Sequence, residues 1–326
     1  MSTTVLPRGR QTKTRLAWET TYGTNPGTGF EELNTYSIDL VRARTLDPDD
    51  ILGAGFNDSI GARPAGPDVE EATGKLGAPF DLIQLGYWLA ASLGRVSPTG
   101  SGPYVHSFAA GVAPLPSFTL EREFVAASQY DGLLGGVVKS AKFNFKPGKG
   151  YNMLDLDLVG KQVLEPYTAT AAGTPTVVGL ANRVGNNVGL VKIAGSQVGT
   201  VIDGSMTLTN DITLDRYVGN TALIAAAILE GQDVAVDITA RYSTDALRAY
   251  GVVGAGFLPP VQAVEFDYVL GAMSLIVSCP AVRFEPINAP VSNGKTVTIQ
   301  MKGRAEVGAS TALLTAVLTN TQATEY

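Results

Sequence analysis

Asp155 and Asp157 are separated by one residue in Asn152-Met-Leu-Asp-Leu-Asp-Leu158. On an extended chain, residues two apart share a face, so both carboxylates point the same way. Such a pair can assist hydrolysis at a metal. A glycosidase, however, needs its two carboxyls facing each other across roughly 5–10 Å. Neighbours on one strand lie side by side, so the pair reads first as a polar sheet face. His106, in Tyr104-Val-His-Ser-Phe108, is the only histidine. A Ser-His-Asp triad would have to use it, yet no nucleophile or acid can be placed beside it, and it reads as a structural or surface residue of a strand. Cys279 is the only cysteine and sits in the apolar run Leu275-Ile-Val-Ser-Cys-Pro280. It reads as a buried, inert thiol, and one cysteine excludes an intramolecular disulfide and a Cys-based zinc site. Lys146, Lys149 and Lys161 have the charge to meet phosphate, but single lysines at strand ends read as solvated. Pro147-Gly-Lys-Gly150 lacks the spacing and the Ser/Thr of a Walker loop. No G-x-G-x-x-G opens a helix and no G-x-S-x-G elbow occurs. Tyr87 and Trp88 read as core or subunit contact, and the Asn57-Asp-Ser59 sequon as chance. No catalytic, metal or cofactor site is expected.

The elements carrying these residues are mostly strands. Period-two alternation runs through Ser37–Val41, Ser117–Phe124, Lys142–Phe145, Asn152–Leu158, Ser205–Thr209, Asp233–Thr239 and Thr296–Met301, the mark of sheets with one buried and one polar face. Two helices are expected. The first is capped by Asp81, runs from Leu82 to Leu93 with Leu82, Leu85, Leu89 and Leu93 on one stripe, and stops at Gly94. The second starts at Ser243 or Thr244 and stops at Gly251.

These pieces recur in one order, which suggests an internal duplication. Ser37-Ile-Asp-Leu-Val41 matches Ser205-Met-Thr-Leu-Thr209, and Asp68-Val69 matches Asp233-Val234. Phe145-Lys-Pro147 matches Phe284-Glu-Pro286. Leu154–Lys161 matches Val297–Arg304 without gaps, which pairs Asp155 with Thr298 and Asp157 with Gln300. The division expected is residues 1–165, a linker over 166–195 that adds a short strand, and residues 196–326. Met1 to about Phe30 reads as an arm or loop. Leu46 to Pro67, rich in Gly and Pro, reads as a long hairpin loop.

The 326 residues suit about two domains. Charged residues make up 17% against a usual value of about 25%, as expected of a chain that covers much of its surface with partners. The net charge of −6 argues against a protein that wraps nucleic acid with a basic face. Met1 to Arg15 shows no apolar signal segment, and no apolar run is long enough to span a bilayer. Synthesis in a reducing cytoplasm is expected.

The assembled pattern resembles the tail tube proteins of long, non-contractile phage tails over nearly the whole chain. Trp18-Glu-Thr-Thr-Tyr-Gly-Thr-Asn-Pro26 looks like that family's opening, and Gly74-Lys-Leu-Gly through Leu89-Ala-Ala-Ser-Leu-Gly94 like its strand-helix unit. Tyr104–Phe108, Leu115–Glu121 and the stretch from Gly204-Ser-Met-Thr-Leu-Thr-Asn210 to Val317-Leu-Thr-Asn320 resemble its later strands. The resemblance implies a mainly β chain with two short helices. It implies two tandem tube-like β-sandwich domains whose inner sheets join into a ring barrel around a channel for double-stranded DNA. Three chains would form a ring with pseudo-six-fold symmetry, and rings would stack. The partners implied are further copies of the chain and the tape-measure, tail-terminator and baseplate or distal tail proteins. The location implied is the virion tail, built in the bacterial host. On this reading Asp155, Asp157, Thr298 and Gln300 are lumen candidates, and the acidic balance suggests a negative channel wall. Asp47, Asp50, Phe56, Asp58 and Arg63 are candidates for contact with the next ring. Two other readings stay open: a capsid-decoration or tail-associated β protein that does not stack, and a β-sandwich hydrolase using Asp155 and Asp157.

Overall fold

The computed structural model describes residues 6–48, 65–66, 68–218, 223–243, 245–253, 257–291, 296–308 and 311–326. They are mainly β. In chain order come β1 (Thr12–Trp18), β2 (Glu31–Leu33), β3 (Ser37–Ala43), β4 (Glu71–Pro79) and helix α1 (Leu85–Leu93). Then follow β5 (Tyr104–Ala109), β6 (Phe118–Phe124), β7 (Gln129–Phe145), β8 (Met153–Gly160) and β9 (Gln162–Tyr167). Short strands β10 (Thr176–Val177), β11 (Leu190–Ile193) and β12 (Ser196–Gln197) lead to the hairpin of β13 (Val201–Asp215) and β14 (Ala226–Arg241). Helix α2 (Ala246–Ala249), β15 (Val261–Leu270), β16 (Met273–Phe284), β17 (Thr298–Ala305) and β18 (Thr315–Asn320) complete the order. No helix is long and apolar enough to cross a membrane among the described residues.

Strand β7 is long enough to serve two neighbourhoods. Its first part lies between β6 and β9, in a strip ordered β10–β2–β1–β6–β7–β9. Its second part lies between β8 and β13. It thereby joins two antiparallel runs, β3–β4–β8–β7 and β13–β14–β17–β16. The sheet is not closed, because β3 pairs with β4 and with no other strand among the described residues. At the far end β16 also pairs with β15 and β18.

The matched sequence segments fall at corresponding places in the two runs: β3 and β13, β8 and β17, and the ends of β7 and β16. The register, however, moves two matches: Val41 pairs with Thr73 and Thr209 with Asp233, so Asp233 lines up with Thr73 and not with Asp68. From Ser37 the ladder runs through Gly77 to Asp155, and from Ser205 through Asp237 to Lys302. With Ser37 set on Ser205, Asp155 therefore lines up with Lys302, not with Thr298. Alternating strands align equally well at any even offset, so the gapless match could not fix this choice.

Alternation builds the core. Leu154, Leu156 and Leu158 of β8, Met206 and Leu208 of β13, and Val234, Val236 and Ile238 of β14 are all buried, each contributing roughly 1.5–3 kcal/mol relative to exposure. Helix α1 starts later than the sequence predicts, after a turn in which Asp81 Oδ1 accepts from the Ile83 and Gln84 amides, at 3.0 and 3.3 Å. It ends at Gly94, whose φ of 101° suits glycine. Its burial is not a stripe: all nine residues are buried. The C-terminal strap covers the remaining face, with the Tyr326 ring lying where a Cβ on Gly86 would project.

Two segments are more structured than the sequence suggests. The expected N-terminal arm contains β1, central in its strip and buried from Thr14 to Ala17. Arg15 masks the pattern, because its charge is neutralised inside by Glu121, Glu123 and Glu32. Within 166–195, β10 pairs with β2, the Asn182 amide donates to Asp81 at 2.6 Å, and Val184 is buried.

Candidate functional site

The polar face of the joined runs carries many charged side chains with a common orientation. Residues at alternate positions line up in rows across the strands. One row is Asp39, Lys75, Asp157, Ser140, Thr209 and Asp233. The next begins at Ser37 and Gly77 and continues through Asp155, Lys142 and Thr207 to Arg304. Beside it lie Asn144, Ser205, Asp237 and Lys302. Acids and bases are interspersed, so this face is not the uniformly negative surface that the net charge suggests. Its carboxylates are held by neighbours: Ser140 Oγ donates to Asp157 at 2.9 Å, Asn144 Nδ2 to Asp155 at 2.8 Å, and Arg304 Nε to Asp233 at 2.6 Å.

The four lumen candidates share this face, Asp155 and Asp157 on β8, Thr298 and Gln300 on β17. They are not brought together, for three strands intervene, and strands spaced about 4.8 Å apart put the two pairs roughly 19 Å from each other. The two aspartates lie side by side, each held by a neutral partner. Of the inter-ring candidates, Asp47 is exposed at the base of the β3–β4 connection, where its carbonyl accepts from the Gly66 amide at 2.9 Å. Asp50, Phe56, Asp58 and Arg63 lie outside the described residues, as does the Asn57 sequon.

The remaining candidates are dispersed. His106 is buried, with Nε2 3.1 Å from the Gln322 carbonyl and its ring 4.7 Å from that of Tyr326. Burial holds its pKa below the ordinary histidine value. Cys279 is buried against Met206, and burial pushes its thiol up to about 12. Lys146 and Lys161 flank opposite ends of β8, and Lys161 Nζ donates to the Gly23 carbonyl at 3.4 Å. Trp88 is buried edge-on to Phe118, and Tyr87 edge-on to Tyr326.

Sequence reasoning missed the seam between β7 and β13. Asn210 is fully buried there, and its Nδ2 donates to the Val138 carbonyl at 2.8 Å and the Ser92 carbonyl at 3.2 Å. Gln232 Nε2 donates to Asn210 Oδ1 at 2.7 Å, and Gln232 Oε1 accepts from the Gly111 amide at 2.5 Å. One satisfied network thus ties α1, β7, β13 and β14. The signal was present: Met206, Leu208 and Asn210 form an inward series, and a polar side chain in such a series must find buried partners. A second network holds β1. Burial alone would raise the Glu121 pKa, but donors from Thr170, the Ala171 amide, Arg15 and Tyr167 outweigh it and hold the carboxyl below its ordinary value.

The fold is thus a mainly antiparallel β structure with a polar face and, among the described residues, an edge strand, β3, that is paired on one side only. A family model for phage tail tube proteins matches residues 9–307. The chain belongs to that family and is a structural protein of phage tails. A search of curated proteins finds no match.

Proposed function

We propose that the two runs are two equivalent units of a tail tube, that three copies of the chain close a ring of six units, and that stacked rings carry DNA through their centre. The observation that supports this most directly is the β7–β13 pairing. It joins the last strand of one run to the first strand of the other, and leaves β3, the first strand of the first run, with β4 on one edge and no strand on the other among the described residues. Repeating that joint between copies gives a closed heterologous ring and removes an edge that would otherwise template aggregation.

The polar face is then the channel wall. Its interspersed Asp and Lys rows offer passing phosphates no large field of either sign. Asp155, Asp157, Thr298 and Gln300 face the channel, and the connection from Leu46 to Pro67 reaches the next ring. Tape-measure, tail-terminator and distal tail proteins set where such a tube starts and stops.

Negative-stain electron microscopy of concentrated purified protein tests the reading. Hollow rings with the mass of three 34.0 kDa chains, stacking into tubes as concentration rises, are expected. Closed trimers that never stack would instead favour a decoration protein.

A further inference from the structure

Residues 252–253 and 257–258, ahead of β15, are apolar and exposed. Val252, Val253, Phe257 and Leu258 all present large hydrophobic surface, and Phe257 is 88% exposed. Its backbone is at φ 59°, a left-handed conformation that is an outlier for a bulky residue and points to a function for the strained site. Both ends of the segment are anchored at the C-terminal end of β16. Gly251 packs against the backbone of Glu285 and Ile287 with no room for a Cβ, and Arg283 Nη1 donates to the Pro259 carbonyl. The exposed residues are therefore held out beside the open end of the second run.

The corresponding segment of the first run shows what such a position meets. Strand β6 precedes β7 as β15 precedes β16, and the segment leading into β6 packs on the β13–β14 hairpin. Ala110, Gly111 and Ala113 border a groove with Leu229, Gly231 and Gln232, and the Gly111 amide is bonded to Gln232. By the same relation, the segment leading into β15 should meet a β3–β4 hairpin, which only another copy can place there. That hairpin carries its own exposed apolar side chains: Val41, Val69 and Leu46, the last 83% exposed.

We propose that Phe257 and its apolar neighbours anchor each copy on the next by packing against Val41, Leu46 and Val69 of the adjacent β3–β4 hairpin. This inference rests on the ring reading and adds the side chains that hold the ring together. Clustered exposed apolar side chains mark interaction sites, and aromatic side chains seated in a neighbour dominate interface energetics.

Two variants test it. Phe257→Asp should leave the thermal midpoint of the monomer unchanged, because the side chain touches little of its own chain. It should raise the concentration needed for ring formation at least about tenfold, the effect of losing one buried aromatic contact. The double variant Phe257→Cys with Leu46→Cys, oxidised after assembly, should give disulfide-linked species that stop at three chains. Native Cys279 is too buried to interfere. Normal rings from Phe257→Asp, or assembled rings that never cross-link, would overturn this contact and leave the ring reading standing. Failure of the unaltered protein to form rings at any concentration would overturn both.

Discussion

Strand β7 ends one side of the first four-strand run, and β3 ends the other. The β7 edge is covered by β13 and fastened by Asn210, which is buried with all its partners supplied by α1, β7 and β14. The outer edge of β3 meets no strand among the described residues; the Ile38 carbonyl instead accepts from Arg122 Nη1 at 3.1 Å, and the charges are placed differently. Arg42, five residues after Ser37 as Asn210 is five after Ser205, is partly exposed and bonds Glu70 at 2.7 Å while pairing with Glu165. Asp39 is exposed beside it. Charged residues on an edge keep it from random pairing, whereas a buried, satisfied amide fixes one register. One joint is therefore made within the chain, and on the ring reading the other is made only with the next copy.

The largest effect expected is on assembly. Successive N–H groups of a strand point to opposite edges, so of Leu40→Pro and Val41→Pro one removes a hydrogen bond to β4 and the other disables the free edge. The latter should keep its melting temperature and form no rings under the microscope. If both variants fold and assemble, the bare edge is not the joint between copies, and the comparison fails.

Next in size is the closed joint. Asn210→Ala leaves the Val138 and Ser92 carbonyls and the Gln232 amide without their partner, at a cost of about 3 kcal/mol. Asp39→Ala on the open edge should change the monomer by less than about 0.5 kcal/mol. Urea unfolding of the two variants would show whether the edges differ as described, and equal midpoints would sink the contrast.

The C-terminal strap also ties the second run to the first. Gly86→Ala would drive a methyl into the Tyr326 ring and should destabilise by roughly 1–3 kcal/mol. It should also make the strap cleavable by protease; a strap still protected in this variant would argue against that packing.

The smallest effect concerns pH. His106, beneath the strap, has a folded-state pKa below the ordinary value of about 6.5. The unfolded chain therefore takes up the proton first. The contribution of His106 to stability is complete above about pH 6.5 and is lost as pH falls through the lower folded-state value. His106→Phe should show a shallower loss of stability over that range in pH-dependent unfolding. Parallel curves would mean that the ring is not desolvated as described.

Much of the fold was legible in the residue pattern. The inward series of β8, β13, β14 and β17 follow from period two, and the end of α1 from Gly94. The matched segments lie at like places in both runs. Strand β1 was not legible, because Arg15 breaks its apolar run and its neutralising partners lie more than a hundred residues away in Glu121 and Glu123. The placement of Asp155 and Asp157 on a polar face was readable. Their correspondence with Lys302 and Arg304 was not, since a strand shifted by two pleats keeps the same alternation.

Residue order was enough to place the inward side chains along most strands and the end of α1 at Gly94. These are consequences of local periodicity, capping and turn chemistry. Only the packed chain shows that β13 pairs with β7, that Asn210 ties that joint and that the outer edge of β3 meets no strand among the described residues. Backbone hydrogen bonds are chemically alike along every strand, so the choice of partner and register rests on packing between residues far apart in the chain.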